Sequence, residues 1–577
     1  MPATLARPAR RLGTAAALLL ALVAGLLTGT PAPATADPVP EGWTYSDAWF
    51  TSHDGIQLHA GVFLPADRAD DEQHPVLMNI GPYTAPNGGV LGGNLNGVID
   101  RNPEIWDYLA AGRWAYVAVD VRGFGGSEGC FGYYMEHEMR DAKTSIEWAA
   151  SQAWSTGKVG MWGKSYDGAQ QVLALANEER PQGLAATVIQ APGLSGYTAL
   201  WHNGVHYATG RYATTGVYTA DDIFIPQNLD TIDSPEYARA AASPVTSIPN
   251  QPTCRSDALV MMNTVADRND PFWADKEPYF GAEGSDVPTF WVHGFFDANT
   301  KATHTEIWES LTGPRKAWFG QWDHIRGHEN GVGRREFFLD EAFAFLDEHV
   351  RGIVPETDGH HVTVQSGNYD QLWRNEEQWP PADVSTWGMP IREGSYPDAA
   401  GNSPTGSGPS DGFWSISPEL PHAAHLAGEV VANLQVTSQV PWTHTVAHLY
   451  DIDEAGQAAL VTRGAVATGE FGDEELALTL YPQDWVFEPG HRIAVHLSAS
   501  DDNWYSPGVS QTDVTVSGGT LELPLLRYIR DDFIEGGASK TQGATTVSAT
   551  TIEESTVAVE PPPAQEPRPD PEPTPVG

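Results

Sequence analysis

Val159-Gly160-Met161-Trp162-Gly163-Lys164-Ser165-Tyr166-Asp167-Gly168 runs on into Ala169-Gln170-Gln171-Val172-Leu173, and its reading decides the fold. An apolar run short enough for a buried strand meets a sharp turn with serine at its apex. A helical pattern leaves the turn at once. Glycines on either side let strand and helix approach and let the backbone at the serine take a strained conformation. The N-terminus of the departing helix aims partial positive charge at the same point. A nucleophile needs this setting, and Tyr166 supplies the backbone N–H that follows it, half of an oxyanion hole. One departure stands out. The common string is G-x-S-x-G, and here Asp167 takes the second glycine's place while Gly168 follows.

Similar apolar runs recur on both sides of this turn. Pro75–Ile80, Ala115–Val119, Ala186–Ile189 and Thr289–His293 are bounded by turn residues. Helical patterns such as Asp141–Ala150 and Ala169–Asn177 lie between them. This alternation predicts an α/β fold, a mainly parallel sheet with helices on both faces, over residues 37–355. Residues 196–285 break the rhythm with Tyr, Trp, Asn, Asp and Pro between two strands, as an inserted cap does.

A serine on such a turn takes an acid and then a histidine later in the chain. Thr289–His293 leads through Gly294-Phe295-Phe296 to Asp297, a carboxylate just past a strand. Lys316–Gly320 leads through Gln321-Trp322-Asp323 to His324. Asp297 would fix the imidazole tautomer, and His324 would take the Ser165 proton and pass it to the leaving group. His328, four residues on, competes as the base. Asp323 reads as a carboxylate that shapes the loop, and His293, inside its strand, as a packed side chain. Asn79-Ile80-Gly81-Pro82-Tyr83 follows an early strand where such folds place the second oxyanion donor, and the Tyr83 hydroxyl can fill that role.

The ends of the chain carry other signals. Arg7, Arg10 and Arg11 precede an apolar run from Ala15 to Leu27, and Ala34-Thr35-Ala36 follows. Basic, apolar and small in that order reads as a secretory signal peptide over residues 1–36, and the run is short for a membrane span. The chain has 32 Lys and Arg against 75 Asp and Glu among 577 residues, a net of −43. Loss of the signal removes three arginines and no carboxylates, which takes the net charge to −46. Such a surface repels phosphate backbones and anionic membranes, so neither nucleic acid nor membrane is an expected partner. No D-x-D-x-D-G loop accompanies the acidity, so no metal site is expected from it. The two cysteines, Cys130 and Cys254, read equally as one disulfide or as two buried thiols.

From residue 356 helical periodicity fades. His361–Val364, Val446–Tyr450 and Arg492–Leu497 alternate, with turns such as Glu488-Pro489-Gly490 between such runs, and predict a β-sandwich or jelly roll over 356–536. Residues 537–577 are Thr/Ser-rich and then Pro/Glu-rich, too polar to bury a core and expected to be disordered or extended.

Taken together, these segments resemble the cocaine esterase / X-Pro dipeptidyl-peptidase (CocE/NonD-type) family of serine hydrolases over residues 45–535. His53-Asp54-Gly55-Ile56-Gln57-Leu58 with Phe63-Leu64-Pro65 is similar to the family's opening hairpin. Asp120-Val121-Arg122-Gly123 with Gly126-Ser127-Glu128-Gly129 is similar to its D-x-R-G loop, and Gly163–Gly168 matches its own G-x-S-Y-x-G elbow. Gly294–Asp297, Gly320–His324 and Phe345–Gly352 follow in the family's order. Trp373-Arg374, Trp379-Pro380 and Pro489–Ile493 resemble its C-terminal domain. Ile80 stands where the family often has an arginine before the oxyanion tyrosine. The resemblance implies an α/β-hydrolase domain with an inserted, mainly helical cap and a C-terminal jelly roll. It also implies an acyl-serine mechanism, with Tyr83 and Tyr166 at the oxyanion and no cofactor or metal. The substrate is then a small ester, an amide or a short peptide. A dipeptidyl-peptidase needs a carboxylate for the substrate ammonium, for which the cap offers Asp221, Asp222 and Glu236. Aromatic residues of the cap (Tyr197, Trp201, Tyr207, Tyr212, Tyr218) suit apolar acyl or aryl groups and read equally as the cap's own core. A non-catalytic binding protein is the reading from a different class, and three intact catalytic positions weigh against it.

Overall fold

A computed structural model describes residues 39–82, 103–208, 262–354, 362–399, 412–540, 546–548 and 552–569, apart from 125, 134, 275, 304, 368–369 and 502–503 within them. The expected signal peptide, Tyr83, Tyr212, Tyr218, Asp221, Asp222, Glu236 and Cys254 lie outside the described residues.

The first domain is built on β1 (Trp43–Thr51), β2 (Gln57–Pro65), β3 (His74–Gly81), α1 (Pro103–Ala111), β4 (Ala115–Asp120), α2 (Glu136–Ala150), β5 (Ser155–Lys164), α3 (Tyr166–Leu175) and β6 (Leu184–Gln190). A two-residue hairpin, β7 (Trp201–His202) and β8 (Val205–His206), precedes β9 (Thr289–Gly294), β10 (Arg315–Gly320), α4 (Arg335–Leu346), β11 (Val362–Gln365) and β12 (Trp373–Glu376). Ten strands form one sheet in the order β1-β2-β4-β3-β5-β6-β9-β10-β11-β12. The stretch from β4 to β11 is parallel, with antiparallel pairs at both edges.

Period-two burial explains the two helical layers. Met78 and Ile80 of β3, Met161 of β5, Trp291 of β9 and Phe319 of β10 face one side with Ala142 and Ile146 of α2 and Val172 of α3. Leu77, Trp162, Phe290 and Trp318 face the other, with Leu109 of α1 and Phe338 of α4. The neighbours of β3 are β4 and β5, so the strand order reverses there. Crevices of open α/β sheets lie at the carboxyl ends beside such a reversal.

The second domain packs two antiparallel sheets. One has the order β20 (Gly472–Thr479), β17 (Val431–Ser438), β23 (Asp513–Leu526), β16 (Ala424–Gly428), β21 (Gln483–Phe487), with β13 (Val384–Ile391) and β14 (Gly394–Pro397) also paired to β23. The other runs β15 (Phe413–Ile416), β22 (Arg492–Ser498), β18 (His444–Ile452), β19 (Gln457–Ala467), β24 (Thr546–Ser548). Met389, Leu426, Leu434, Leu449, Val495 and Leu521 fill the space between. The molecule is therefore an α/β-hydrolase domain followed by a β-rich domain, as the sequence predicts.

Two details differ from the sequence reading. Val362–Gln365 was expected in the sandwich, yet it joins β10 as a parallel strand of the hydrolase sheet. Trp373 and Arg374 likewise lie in β12 of that sheet. A short alternating run states that a strand forms and does not state which sheet accepts it. The hydrolase sheet thus continues past the expected boundary at 355. In the tail, Ile552–Ser555 form a short helix and residues 556–569 run extended along the sandwich, the extended alternative of the expectation. Val557 donates to the Ile416 carbonyl, Ile529 donates to that of Glu566, and the Trp387 indole donates to that of Glu560. Proline cannot build a core, but its neighbours' backbone groups bond to an exposed edge at no cost to that rule. Of the expected cap, the described residues carry one five-residue helix, Gly196–Leu200, the β7–β8 hairpin and two 3₁₀ turns.

The seam between the domains is polar and buried. Arg374 Nη2 lies 2.6 Å from Asp484 Oδ2, with side chains 1% and 0% exposed. His425 Nε2 is 2.9 Å from the same carboxylate, and Gln321 Nε2 donates to Gln483 Oε1 at 2.7 Å.

Candidate active site

Ser165 sits between the last residue of β5 and the first of α3, with φ 64° and ψ −122°. A non-glycine residue in that region is strained, and the surroundings hold it there. Its N–H donates to the Gln190 carbonyl at the end of β6, 2.9 Å away. At Gly168 an added Cβ would stand 2.8 Å from the Gln190 carbonyl oxygen, so only glycine lets α3 close on β6. The unusual Asp167 has its own accommodation. Its carboxyl lies under Gly81, where a Cβ would overlap Oδ1, and Asn79 Nδ2 donates to Oδ2 at 3.0 Å. Burial pushes the Asp167 carboxyl up to about 7, against Asn79 and the charges of Arg326 and Lys164.

Tyr166 opens α3, so its backbone N–H points out of the helix's N-terminal end beside Ser165. Its side chain turns away and donates to Glu138 Oε2 of α2 at 2.5 Å, while Gln170 Nε2 donates to the same oxygen at 2.9 Å. Burial raises Glu138 above the usual carboxylate range, although both donors favour its charged form. Tyr83 lies outside the described residues.

Asp297 follows β9 and is fully buried. Its Oδ1 accepts the backbone N–H groups of Asn299 (2.8 Å) and Thr300 (2.9 Å). Its Oδ2 accepts Thr300 Oγ1 and His324 Nδ1, both at 2.8 Å. His293 Nε2 stands 3.2 Å from Oδ2. Burial alone would raise this carboxyl, but the His324 charge, His293 and these bonds hold it well below the usual range. His324 comes from the loop after β10. Lys164, next to Ser165, donates to the His324 carbonyl at 3.2 Å, and Gly327 donates to Gln190 Oε1 at 3.2 Å. These bonds tie the histidine loop to the elbow. Burial lowers His324 below its ordinary 6.5, and the Asp297 charge only partly offsets it. The competing His328 packs its ring near Trp162 and Phe338, 6.4 and 6.0 Å between centroids.

Ser165, Asp297 and His324 thus lie on loops at the carboxyl ends of β5, β9 and β10, where crevices of such sheets form. Sequence reasoning left out Thr300 and Lys301 and read His293 only as a packed side chain. His293 and Thr300 add partners to Asp297, and Lys301 is buried beside them with φ 66°. The Lys301 ammonium donates to the carbonyls of Ala298 and Asn299 and lies 4.3 Å from the Tyr207 ring centroid and 5.0 Å from that of Trp504. Burial lowers it to about 7. Tyr207 belongs to the insertion and Trp504 to the second domain, so no local string could signal this meeting. Cys130 is disulfide-bonded; the chain's other cysteine, Cys254, lies outside the described residues.

Two family models match the chain. That of the X-Pro dipeptidyl-peptidase S15 family covers residues 54–326, and that of the X-Pro dipeptidyl-peptidase C-terminal non-catalytic domain covers 356–551. A cocaine esterase of a Rhodococcus species is 25% identical over 551 residues, which span 79% of this chain and 90% of that protein. Among solved structures, an aminopeptidase from a marine sediment Thaumarchaeota archaeon matches with TM-score 0.65 at 17% identity, covering 86% of this chain and 99% of the other. A CocE/NonD family hydrolase from Staphylococcus aureus matches with TM-score 0.64 at 14% identity over 86% of this chain and all of the other. At these identities the structural likeness speaks for the fold.

Proposed function

The chain belongs to the cocaine esterase / X-Pro dipeptidyl-peptidase family of serine hydrolases, and on that premise we propose that Ser165, His324 and Asp297 cleave an acyl bond of a small ester through an acyl-serine intermediate. One observation carries the reading: the 2.8 Å bond from His324 Nδ1 to buried Asp297, bound to an elbow that holds Ser165 at positive φ. The Asp297 bond fixes the proton on Nδ1 and leaves Nε2 as the base. Ser165 Oγ attacks the carbonyl carbon as its proton passes to His324. The oxyanion accepts the Tyr166 N–H and the Tyr83 hydroxyl. His324 then protonates the leaving alkoxide. In the second half it activates water, which releases the acid and restores Ser165.

An X-Pro dipeptidyl-peptidase is the second reading, carried by the family models. Among the described residues, the carboxylates packed at the elbow offer a substrate ammonium no partner, and the cap candidates Asp221, Asp222 and Glu236 lie outside the described residues. Asp167 is 3% exposed and held by Asn79, and Glu138 is buried under Tyr166 and Gln170, so neither faces a substrate ammonium. We expect turnover of p-nitrophenyl acyl esters to exceed that of Ala-Pro-p-nitroanilide by at least an order of magnitude in kcat/KM. Cleavage of the anilide alone would transfer the assignment to the peptidase.

The pH profile tests the base. Protonated His324 cannot take the Ser165 proton, so activity disappears as pH falls through its pKa. That pKa lies below 6.5, so kcat/KM is expected to stay level through neutral pH and to fall only in the acid range. A limb centred above pH 7 would contradict the assignment.

We further propose that the protein is exported, with residues 1–36 removed. The bonded state of Cys130 supports an oxidising compartment. N-terminal sequencing of protein from the culture medium should begin at Asp37, and an intact Met1 start would refute it.

A further inference from the structure

Three side chains away from the triad converge on one point of the surface. His53 and Asp54 lie in the turn between β1 and β2, and His137 lies in the first turn of α2. His53 Nε2 stands 2.9 Å from His137 Nδ1, and Asp54 Oδ2 stands 3.7 Å from the same nitrogen. One ligand atom from each falls within a 4.8 Å span. From this geometry we propose that His53, Asp54 and His137 form a binding site for a divalent first-row transition metal of the Zn²⁺ class.

The spacing fits two imidazoles on one ion. Zn–N bonds of about 2.0–2.1 Å place two nitrogens roughly 2.9 Å apart at a right angle and about 3.4 Å apart at the tetrahedral angle. The observed separation lies at the near end of that range. His53 presents Nε2 because its other nitrogen is engaged: Nδ1 lies 3.1 Å from Ser52 Oγ and 3.4 Å from Asp141 Oδ1. A carboxylate on the far nitrogen of a ligand histidine fixes its ring and raises its basicity. Asp141 is itself rigid, since it is 3% exposed and receives Arg122 Nε at 2.6 Å and Nη2 at 2.8 Å. Arg122 Nη1 also reaches Asp54 Oδ2 at 3.0 Å, which orients the third ligand. Burial works against the charged form of Asp54, but the guanidinium wins and lowers its pKa.

The charge balance permits a dication. Arg122 is matched by two carboxylates, Asp54 and Asp141, so the cluster with neutral imidazoles carries about −1. Two nitrogen donors favour Zn²⁺, Co²⁺, Ni²⁺ or Cu²⁺ over Ca²⁺ or Mg²⁺, which take oxygen. Three protein ligands leave the remaining positions to water. The ion would join the β1–β2 turn to α2, whose Glu138, beside His137, receives the Tyr166 hydroxyl. Its role is that of a staple behind the elbow. The rival arrangement is a plain N–H···N bond between the two rings, which needs no ion.

The test uses the chain from residue 37 onward without a polyhistidine tag. Isothermal titration with Zn²⁺ should give one site per chain, and Co²⁺ should add visible d–d absorption. Zn²⁺ should also raise Tm. The exposed His137→Ala should bind at least tenfold more weakly while ester turnover without metal stays at the wild-type level, and His53→Ala/His137→Ala should abolish the Co²⁺ spectrum. No stoichiometric uptake by the wild type, equal uptake by the double variant, or equal affinity for Ca²⁺ would each overturn the proposal.

Discussion

Asp297→Asn is expected to lower kcat on an acyl ester by about 10⁴-fold with little change in KM. The size follows from the partners. Oδ1 is taken by two backbone N–H groups, so the side-chain amide of an asparagine must place its NH₂ where Oδ2 now accepts His324 Nδ1 and Thr300 Oγ1. Donor then meets donor. The imidazole must turn Nδ1 into an acceptor, the proton moves to Nε2, and the base that Ser165 needs is gone. Steady-state kinetics with circular dichroism as a fold control checks this. A loss below tenfold would place the orienting acid elsewhere, with Asp323 next in line.

The second large effect concerns the seam. Arg374→Met should lower stability by roughly 3–5 kcal/mol, the scale of stranding one charge of a buried pair. Asp484 is 0% exposed and, among the described residues, keeps the His425 imidazole as its side-chain partner once the guanidinium is removed. In the wild type, Arg374 and His425 depress the Asp484 carboxyl well below its ordinary value against the effect of burial. Its contribution is therefore full above the unfolded carboxylate range and is lost only in strong acid. In the variant the carboxyl rises, so the deficit is largest at neutral pH and shrinks as Asp484 protonates. Thermal unfolding at pH 7 and pH 5 measures both signs, and adding Asp484→Asn should recover part of the loss. An Arg374→Met protein as stable as the wild type would show that the seam does not depend on this pair.

The hydrolase half was legible because its signals are local. A strand, a serine turn and a helix are adjacent in sequence, and the carboxylate and histidine each follow a strand within four residues. What escaped depends on distance in the fold. Val362–Gln365 reads as a strand, but its partner β10 is chosen by the sheet, 45 positions away in register. Arg374 reads as a sandwich residue until β12 pairs with β11 and sends the guanidinium across to Asp484. Lys301 is two residues past Asn299 in a polar loop, and only assembly of the insertion with the second domain places Tyr207 and Trp504 over it. Asp167 looked like a defect in the elbow until Gly81 supplied its space.

Covalent labelling tests the central claim most directly. The protein is treated with a fluorophosphonate, digested and sequenced by tandem mass spectrometry. The adduct is expected on Ser165 alone, in stoichiometric yield, and absent from Ser165→Ala. No adduct, or an adduct on another residue that persists in Ser165→Ala, would contradict the assignment of Ser165 as the nucleophile.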